Sequence, residues 1–411
     1  MPGPGPDRGA LVAPTLVTPV GPLPVRGGRL GEPLELRPGA VAWERGVLTY
    51  VGPPEGLHGE AEVLEGATVA PGFVDCHTHL PFVGWRDDEY EARLAGRGYR
   101  DLHGEGGIPR SARMLAEAAD EEVLGFSLAL LREMAAAGTT AAELKTGYGL
   151  SVPGELRQAR LARRLAGLVP QPCAVTLLAC HAVPPGMRRE AWVRAACEEL
   201  IPAAAAEGLA DAVDVWVEDV AFTVDDLRAV AEAARAHGLP LRCHAEQLGP
   251  SGAARVAAEL GARSVDHLNH LGPDDARALA ASETAAVLLP ASTFLLRAPV
   301  PPARTLIEAG AIVALATDLN PGTSPVASMP EAIAIGCALY GLSPHEALTA
   351  ATANAAWVLG LGERTGTLEV GKRADLVVLE GEAFRRVPYR PGHDPVVRAY
   401  AAGRRIDGGA S

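Results

Sequence analysis

The stretch PGFVDCHTHLPFVGWRDDEY, Pro71 to Tyr90, starts as an apolar β-branched run and ends in histidine and charge. A strand expected over Thr68–Cys76 leads directly into His77-Thr78-His79. In extended chain the imidazoles at i and i+2 project from one face. The chain has only 11 histidines, so the purpose of this pair depends on what else converges on the same point.

The same pattern recurs downstream. β-Branched runs follow at Thr139–Leu144, Cys173–Ala179, Ala212–Val217, Pro240–Cys243, Arg263–Asp266, Thr284–Leu289 and Ala311–Ala316. Between them lie helix-like stretches such as EEVLGFSLALLREMAAAG, DDLRAVAEAARAHG and PARTLIEAG, closing on glycine as helix C-termini often do. This alternation predicts an α/β fold, a (β/α)8 TIM barrel over residues 68–361, because open doubly wound sheets rarely reach so many units. Residues 1–67 and 362–411 differ: they hold short extended pieces between glycine and proline turns, including GAVAWERGVLTYVGPPEG and RTGTLEVGKRADLVVLEGEAF. The two ends are therefore expected to meet in one small β-sandwich.

At 411 residues the chain can hold a barrel of about 250 residues and a smaller domain. An apolar content of 48% with 21% charged residues is that of an ordinary soluble protein. A net charge of -13 argues against a nucleic-acid surface. No apolar run approaches the ~20 residues of a membrane span, and MPGPGPDRGALVAPTL lacks the basic and apolar regions of a signal peptide. Cysteines 76, 173, 180, 197, 243 and 337 include no Cys-x-x-Cys pair. Reduced, mostly buried thiols and a cytoplasmic location are expected. Among 37 basic residues the only lysines are Lys145 and Lys372. Lys372, in a turn of the terminal flank, reads as a solvated residue.

In such a barrel the chemistry belongs at the C-terminal ends of the strands. The first strand leads to His77 and His79, the third to His181, the fifth to His244, the sixth to His267 and the eighth to Asp318. Each alone has a plain reading: a structural histidine, or an aspartate capping a helix before NPGTSP. Jointly they fall where one fold hypothesis puts them, on one rim. Histidines with a carboxylate suit zinc or ferrous iron with a position open for water. Such an ion lowers the pKa of that water toward ~7.

PGFVDCHTHLPFVGWRDDEY, ELKTGYGLS, LACHAVPP, CHAEQLG, VDHLNHL and ALATDLNPGTSP resemble, in order, the motifs of the imidazolonepropionases, a family of the amidohydrolase superfamily of metal-dependent barrels. The resemblance covers Pro71 to Leu361 and continues weakly into GTLEVGKRADLVVL. The His-x-His and final aspartate are superfamily features, whereas TGYG, CHAVPP, HAEQ and TDLNPGTSP are specific to the one activity. The resemblance implies metal-dependent hydrolysis of the ring C–N bond of 4-imidazolone-5-propanoate to N-formimidoyl-L-glutamate, in histidine degradation. It also implies a homodimer. By the same resemblance His77, His79, His244 and Asp318 hold one Zn2+ or Fe ion per chain. Arg86, Tyr148, His181, Gln247, Asn320, Gly322 and Thr323 contact substrate. His267 transfers the proton together with Asp318, and Gln247 steadies the intermediate.

The residue chemistry agrees. A guanidinium such as Arg86 pairs with a propionate in bidentate fashion. Gly322 permits close backbone approach, and Asn320 and Thr323 offer polar groups. Glu246 is expected on the other face, in a structural role. Binuclear relatives take a carboxylated lysine from the fourth strand, which here ends Val215-Trp216-Val217-Glu218, so one metal is favoured. Lys145 is left to an ion pair near the pocket, with Glu143, Glu218 or substrate. A heterocycle deaminase on the same ligands would need groups reading a base edge instead of an arginine. A non-catalytic barrel would have lost ligands, and none is lost.

Overall fold

In the computed structural model, which describes residues 8–98, 101 and 106–408, the alternation becomes eight parallel strands in chain order. They are Phe73–Asp75 (β1), Thr139–Lys145 (β2), Cys173–Cys180 (β3), Ala212–Val217 (β4), Leu241–Ala245 (β5), Ser264–His267 (β6), Ala285–Leu288 (β7) and Ile312–Leu315 (β8). Each is hydrogen-bonded to the next. Beyond β1 and β8, Thr78 bridges Leu319 in parallel. Asp318 N–H donates to His77 O (3.0 Å) and His79 N–H to Leu319 O (2.8 Å). The sheet thus closes at its C-terminal rim, removing the open edge there.

The strand expected over Thr68–Cys76 is in fact two. Ala67–Pro71 pairs antiparallel with Leu376–Glu380 and parallel with Thr15–Thr18, outside the barrel. Gly72 makes the break, and a Cβ there would overlap the Thr140 side chain, so only glycine fits. The chain therefore passes from the outer sheet into the barrel at Gly72.

The remaining strands form two sheets. One has six strands, in the order Arg404–Arg405, Val396–Ala401, Leu376–Glu380, Ala67–Pro71, Thr15–Thr18, Leu34–Leu36. The other has four: Val47–Gly52, Gly39–Glu44, Arg8–Ala13, Glu62–Val63. Leu11, Leu16, Val41, Trp43, Val69, Leu376, Val378 and Tyr400 pack as one core drawn from both sheets, so both ends of the chain build the sandwich. Lys372 is not a solvated turn residue: its Nζ donates to Gly362 O (2.8 Å) and Thr367 Oγ1 (2.7 Å), tying the barrel exit to the sandwich.

The three helix-like stretches form Asp120–Ala136, Val224–Ala236 and Ala303–Glu308, and Gly138, Gly238 and Gly310 take positive φ beyond their ends. One apolar cluster of the strands, including Val74, Val287, Ile312 and Ala314, packs on Ala355, Ala356 and Val358. The barrel interior is unusual. Glu143, Lys145, Thr176, Asp214, Arg242, Ser264 and Asp266 are buried and joined by hydrogen bonds and ion pairs. Most barrels place layers of branched apolar side chains there. No helix among the described residues is long and apolar enough to cross a membrane.

Asn354 couples the N-terminal segment to β8. Its Oδ1 accepts from Val25 N (2.9 Å), and its Nδ2 donates to Val25 O (2.9 Å) and Val313 O (2.8 Å). Asn354→Ala leaves these buried backbone groups unpaired and is expected to destabilise the chain by about 3 kcal/mol in denaturant unfolding. A loss below about 1 kcal/mol would mean that apolar packing alone holds this junction.

Candidate metal centre and pocket

His77 and His79 sit on the extension of β1, His244 within β5, His267 at the end of β6 and Asp318 just past β8. The His77 ring centroid lies 4.5 Å from that of His244, 5.3 Å from His79 and 5.7 Å from His267. Asp318 Oδ1 is 3.5 Å from His77 Nε2 and 3.3 Å from His79 Nε2. The ligating atoms of His77, His79 and Asp318 all lie within 4.8 Å of one another, and so do those of His77, His244 and His267.

The donor set fits a cation. His77 Nε2, His244 Nε2 and Asp318 Oδ1 are buried with no hydrogen-bond partner among the described residues. Buried polar atoms left in that state cost about 1–3 kcal/mol each, and converging lone pairs are what a metal ion satisfies. The other ring nitrogens explain the orientation: His77 Nδ1 lies 2.6 Å from Asp266 Oδ2, and His244 Nδ1 lies 3.1 Å from Asp214 Oδ1. A carboxylate accepting from Nδ1–H leaves the Nε2 lone pair for a metal. His79 differs, since its unpartnered nitrogen is Nδ1 while Nε2 faces Asp318.

Protonation states follow from burial. Burial, then the nearby Lys145 charge, holds His77 well below the usual imidazole range, so it is neutral. Burial pushes Asp318 up, but the close approach of His79 (Nε2 at 3.3 Å) and the other neighbouring histidines outweigh that and hold it below its ordinary value. Backbone strain gathers at the same place. Glu246, His267, Leu268 and Asp318 have φ of 58, 81, 65 and 58°, at the ends of β5, β6 and β8. Such conformations cost non-glycine residues about 1–3 kcal/mol and cluster at functional sites.

The cavity above the cluster is lined by Arg86, Tyr148, His181, Gln247, Asn320 and Thr323, and also by Ile108 and Trp216. Gly322 lies against Arg86, where a Cβ would overlap the guanidinium. All the residues expected at the site are thus brought together, though Arg86 and Asn320 are arranged differently from expectation. Arg86 is 3% exposed; its Nε donates to Glu89 Oε2 (3.1 Å), and its Nη1 to Gly107 O (2.9 Å) and Ser111 Oγ (2.6 Å). With Nε and Nη1 engaged, the expected bidentate fork is not available, and Nη2 is the nitrogen these partners leave.

Asn320 has both ends of its amide engaged by its own loop. It donates to Asp318 O (2.7 Å) and accepts from Gly322 N (2.9 Å) and Thr323 N (2.7 Å). Gln247 Oε1 accepts from Trp216 Nε1 (3.0 Å), which leaves its NH2 as the donating end. His181 Nδ1 is 3.0 Å from Gly147 O, and its ring stacks on His79 at 5.2 Å. Glu246 instead accepts from Ser251 N (2.8 Å), holding the loop after β5. Lys145 pairs with Asp214 and Glu143 but not with Glu218, whose carboxylate accepts from Gln247 N (2.6 Å) and Leu248 N (3.1 Å).

Sequence reasoning missed Ile108, Trp216, Asp214, Arg242 and Asp266. A signal was present for most of them. Glu143-x-Lys145, Asp214-x-Trp216, Arg242-x-His244 and Ser264-x-Asp266 place polar or aromatic groups at alternate positions of otherwise apolar strands, on the inward face.

Comparison with known proteins bears on this geometry. The description "Amidohydrolase family" matches residues 68–402, and the chain belongs to that family. Solved structures of similar fold include an adenosine deaminase from Xanthomonas campestris with bound zinc (TM-score 0.73, 20% identity, 98% of this chain and 93% of that one). Another is the Escherichia coli guanine deaminase (TM-score 0.74, 16% identity, 97% and 99%); at these identities they show the fold alone. The imidazolonepropionase of Rubrobacter xylanophilus is 43% identical over 94% of this chain and 95% of its own. That of Deinococcus radiodurans is 43% identical over 94% and 96%. Within the amidohydrolases the chain belongs with the imidazolonepropionases.

An ion that binds only the folded chain stabilises it by about 2.7 kcal/mol at 100 times its Kd. Metal-stripped protein is therefore expected to melt below the Zn2+- or Fe2+-loaded protein in calorimetry. Identical melting with and without the ion would argue that these imidazoles hold no metal.

Proposed function

We propose that the chain hydrolyses the ring C–N bond of 4-imidazolone-5-propanoate to N-formimidoyl-L-glutamate, using one Zn2+ or Fe2+ held by His77, His79, His244 and Asp318. The observation that carries this reading is the pocket itself: a cluster of imidazoles and a carboxylate faces a buried arginine, in a chain 43% identical to imidazolonepropionases over nearly its whole length. When bound, the ion acts as a Lewis acid and lowers the pKa of water toward ~7.

The chain's own residues do the rest. Arg86 Nη2 takes the propionate, and the glycine at 322 keeps the loop close enough for that contact. Gln247, its carbonyl held by Trp216, donates its NH2 to the substrate's developing negative charge. Tyr148 and His181 wall the ring on the side of β2 and β3. Burial pushes His267 below the usual imidazole range, so it starts neutral beside His244, at a ring distance of 5.4 Å, while the Asp318 carboxylate pulls it back up and favours its protonated form once a proton arrives. Its lone pair takes up the proton released on water attack and returns it to the leaving nitrogen. Asp318 shares that proton. The six cysteines are free thiols, which suits the reducing cytoplasm.

The test is a coupled assay in which urocanase forms imidazolone propionate from urocanate in place and its ultraviolet absorbance is followed. Decay accelerated by the protein and abolished by chelation is expected; no acceleration by metal-loaded protein would overturn the substrate. Arg86→Ala is expected to lower kcat/KM roughly 10- to 100-fold, mainly through KM, as for loss of a hydrogen bond to a charged group. An unchanged KM would remove Arg86 from the substrate's path. Gly322→Ala, by displacing that guanidinium, is expected to cost on the order of 100-fold in kcat/KM; a crystal structure of the variant would show whether Arg86 has moved.

A further inference from the structure

Beneath the imidazoles lies a buried group of charges that this reaction does not use. Lys145 Nζ sits 2.7 Å from Asp214 Oδ2, 2.9 Å from Glu143 Oε2 and 3.8 Å from Asp266 Oδ2. Arg242 pairs with Glu143 and, at 3.0 Å, with Asp266 Oδ2, and it donates to Cys76 O at 2.9 Å. None of the five is more than 1% exposed. Two cations therefore face three carboxylates, and two of those carboxylates each hold an imidazole: Asp214 on His244 and Asp266 on His77.

We propose that Lys145 is a positioning residue of the metal centre: its ammonium anchors Asp214 so that this carboxylate accepts from His244 Nδ1–H and turns His244 Nε2 toward the ion, as Arg242 anchors Asp266 for His77. The inference rests on the metal reading of the site given above.

The geometry is that of a strut. Lys145 ends β2, Asp214 lies in β4 and His244 in β5, so the ammonium reaches across the interior and fixes one carboxylate oxygen while the other faces the imidazole. Burial and the Arg242 charge push Lys145 down, but Asp214, Glu143 and Asp266 outweigh them and raise it above its ordinary value, so the anchor stays charged. The residue type follows from the space. An ammonium is a compact point donor that serves two carboxylates at once, whereas a guanidinium is a planar fork. In a chain that otherwise uses arginine almost throughout, this is a reason to keep a lysine.

The experiment compares metal-stripped wild-type chain with Lys145→Met, which keeps the length of the side chain and removes its donors. Zn2+ affinity is measured by competition with a chromogenic chelator, histidine tautomers of the metal-free chains by 15N NMR, and stability by denaturant unfolding. Lys145→Met is expected to bind Zn2+ 10- to 100-fold more weakly, with the His244 nitrogen shifts leaving the single Nδ1–H form. A purely structural role predicts lower stability with affinity and tautomer unchanged, and that result overturns the proposal. If Lys145→Met does not fold, the nearly isosteric Asp214→Asn carries the same expectation, and a folded Asp214→Asn chain with wild-type Zn2+ affinity overturns it equally. A wild-type chain that binds no Zn2+ overturns the metal reading and this inference together, whereas wild-type binding matched by Lys145→Met overturns this inference alone.

Discussion

Asp318 N–H donates to His77 O and His79 N–H donates to Leu319 O, and these bonds close the barrel at the rim where the chemistry lies. Asp75 reinforces the seam by accepting from both Thr317 N (3.1 Å) and Thr317 Oγ1. The segments that join the first strand to the last are thus the ones that carry three of the four proposed ligands. Closure and ligand geometry are one event, so a displacement of His77 against Asp318 would open the sheet. A site built in this way inherits the rigidity of the barrel, which precise coordination needs.

The interior below that seam is charged, and stability alone does not account for it. Burying ion pairs is seldom better than burying apolar side chains of similar volume, because desolvation offsets much of the attraction. Here the five charges come from four strands of the wall: Glu143 and Lys145 from β2, Asp214 from β4, Arg242 from β5 and Asp266 from β6. Directional bonds among them fix the relative rotation of the strands and, through Asp214 and Asp266, of two imidazoles. Layers of leucine and valine would pack as densely but would exert no such directional control.

The alternation of strands and helices was legible because it rests on local preferences: β-branched runs, alanine-rich helices and glycine at helix ends. The rim positions of His77, His79, His181, His244, His267 and Asp318 followed from the same pattern, since the end of each strand is visible in its neighbours along the chain. The misreadings have one origin. Thr68–Cys76 looked like a single strand because both halves are apolar, yet Ala67–Pro71 belongs to a sheet completed by residues more than 300 positions later. Lys372 looked solvated because its acceptors, Gly362 O and Thr367 Oγ1, are recognisable only once the turn is folded. Arg86 looked like a free fork because Glu89, Gly107 and Ser111 come to it by the fold of the loop.

The order of residues along the chain settled which elements form, which rim carries the histidines and Asp318, and which family the motifs indicate, because each depends on short spacings. Tertiary structure alone decided which nitrogen of each imidazole is held, which oxygen of Asp318 meets them, which end of Gln247 is turned outward, and that Lys145 reaches Asp214 instead of Glu218. Those outcomes depend on partners from separate strands at hydrogen-bond distance. A hydrogen bond varies over tenths of an ångström and tens of degrees, a precision that sequence spacing does not carry.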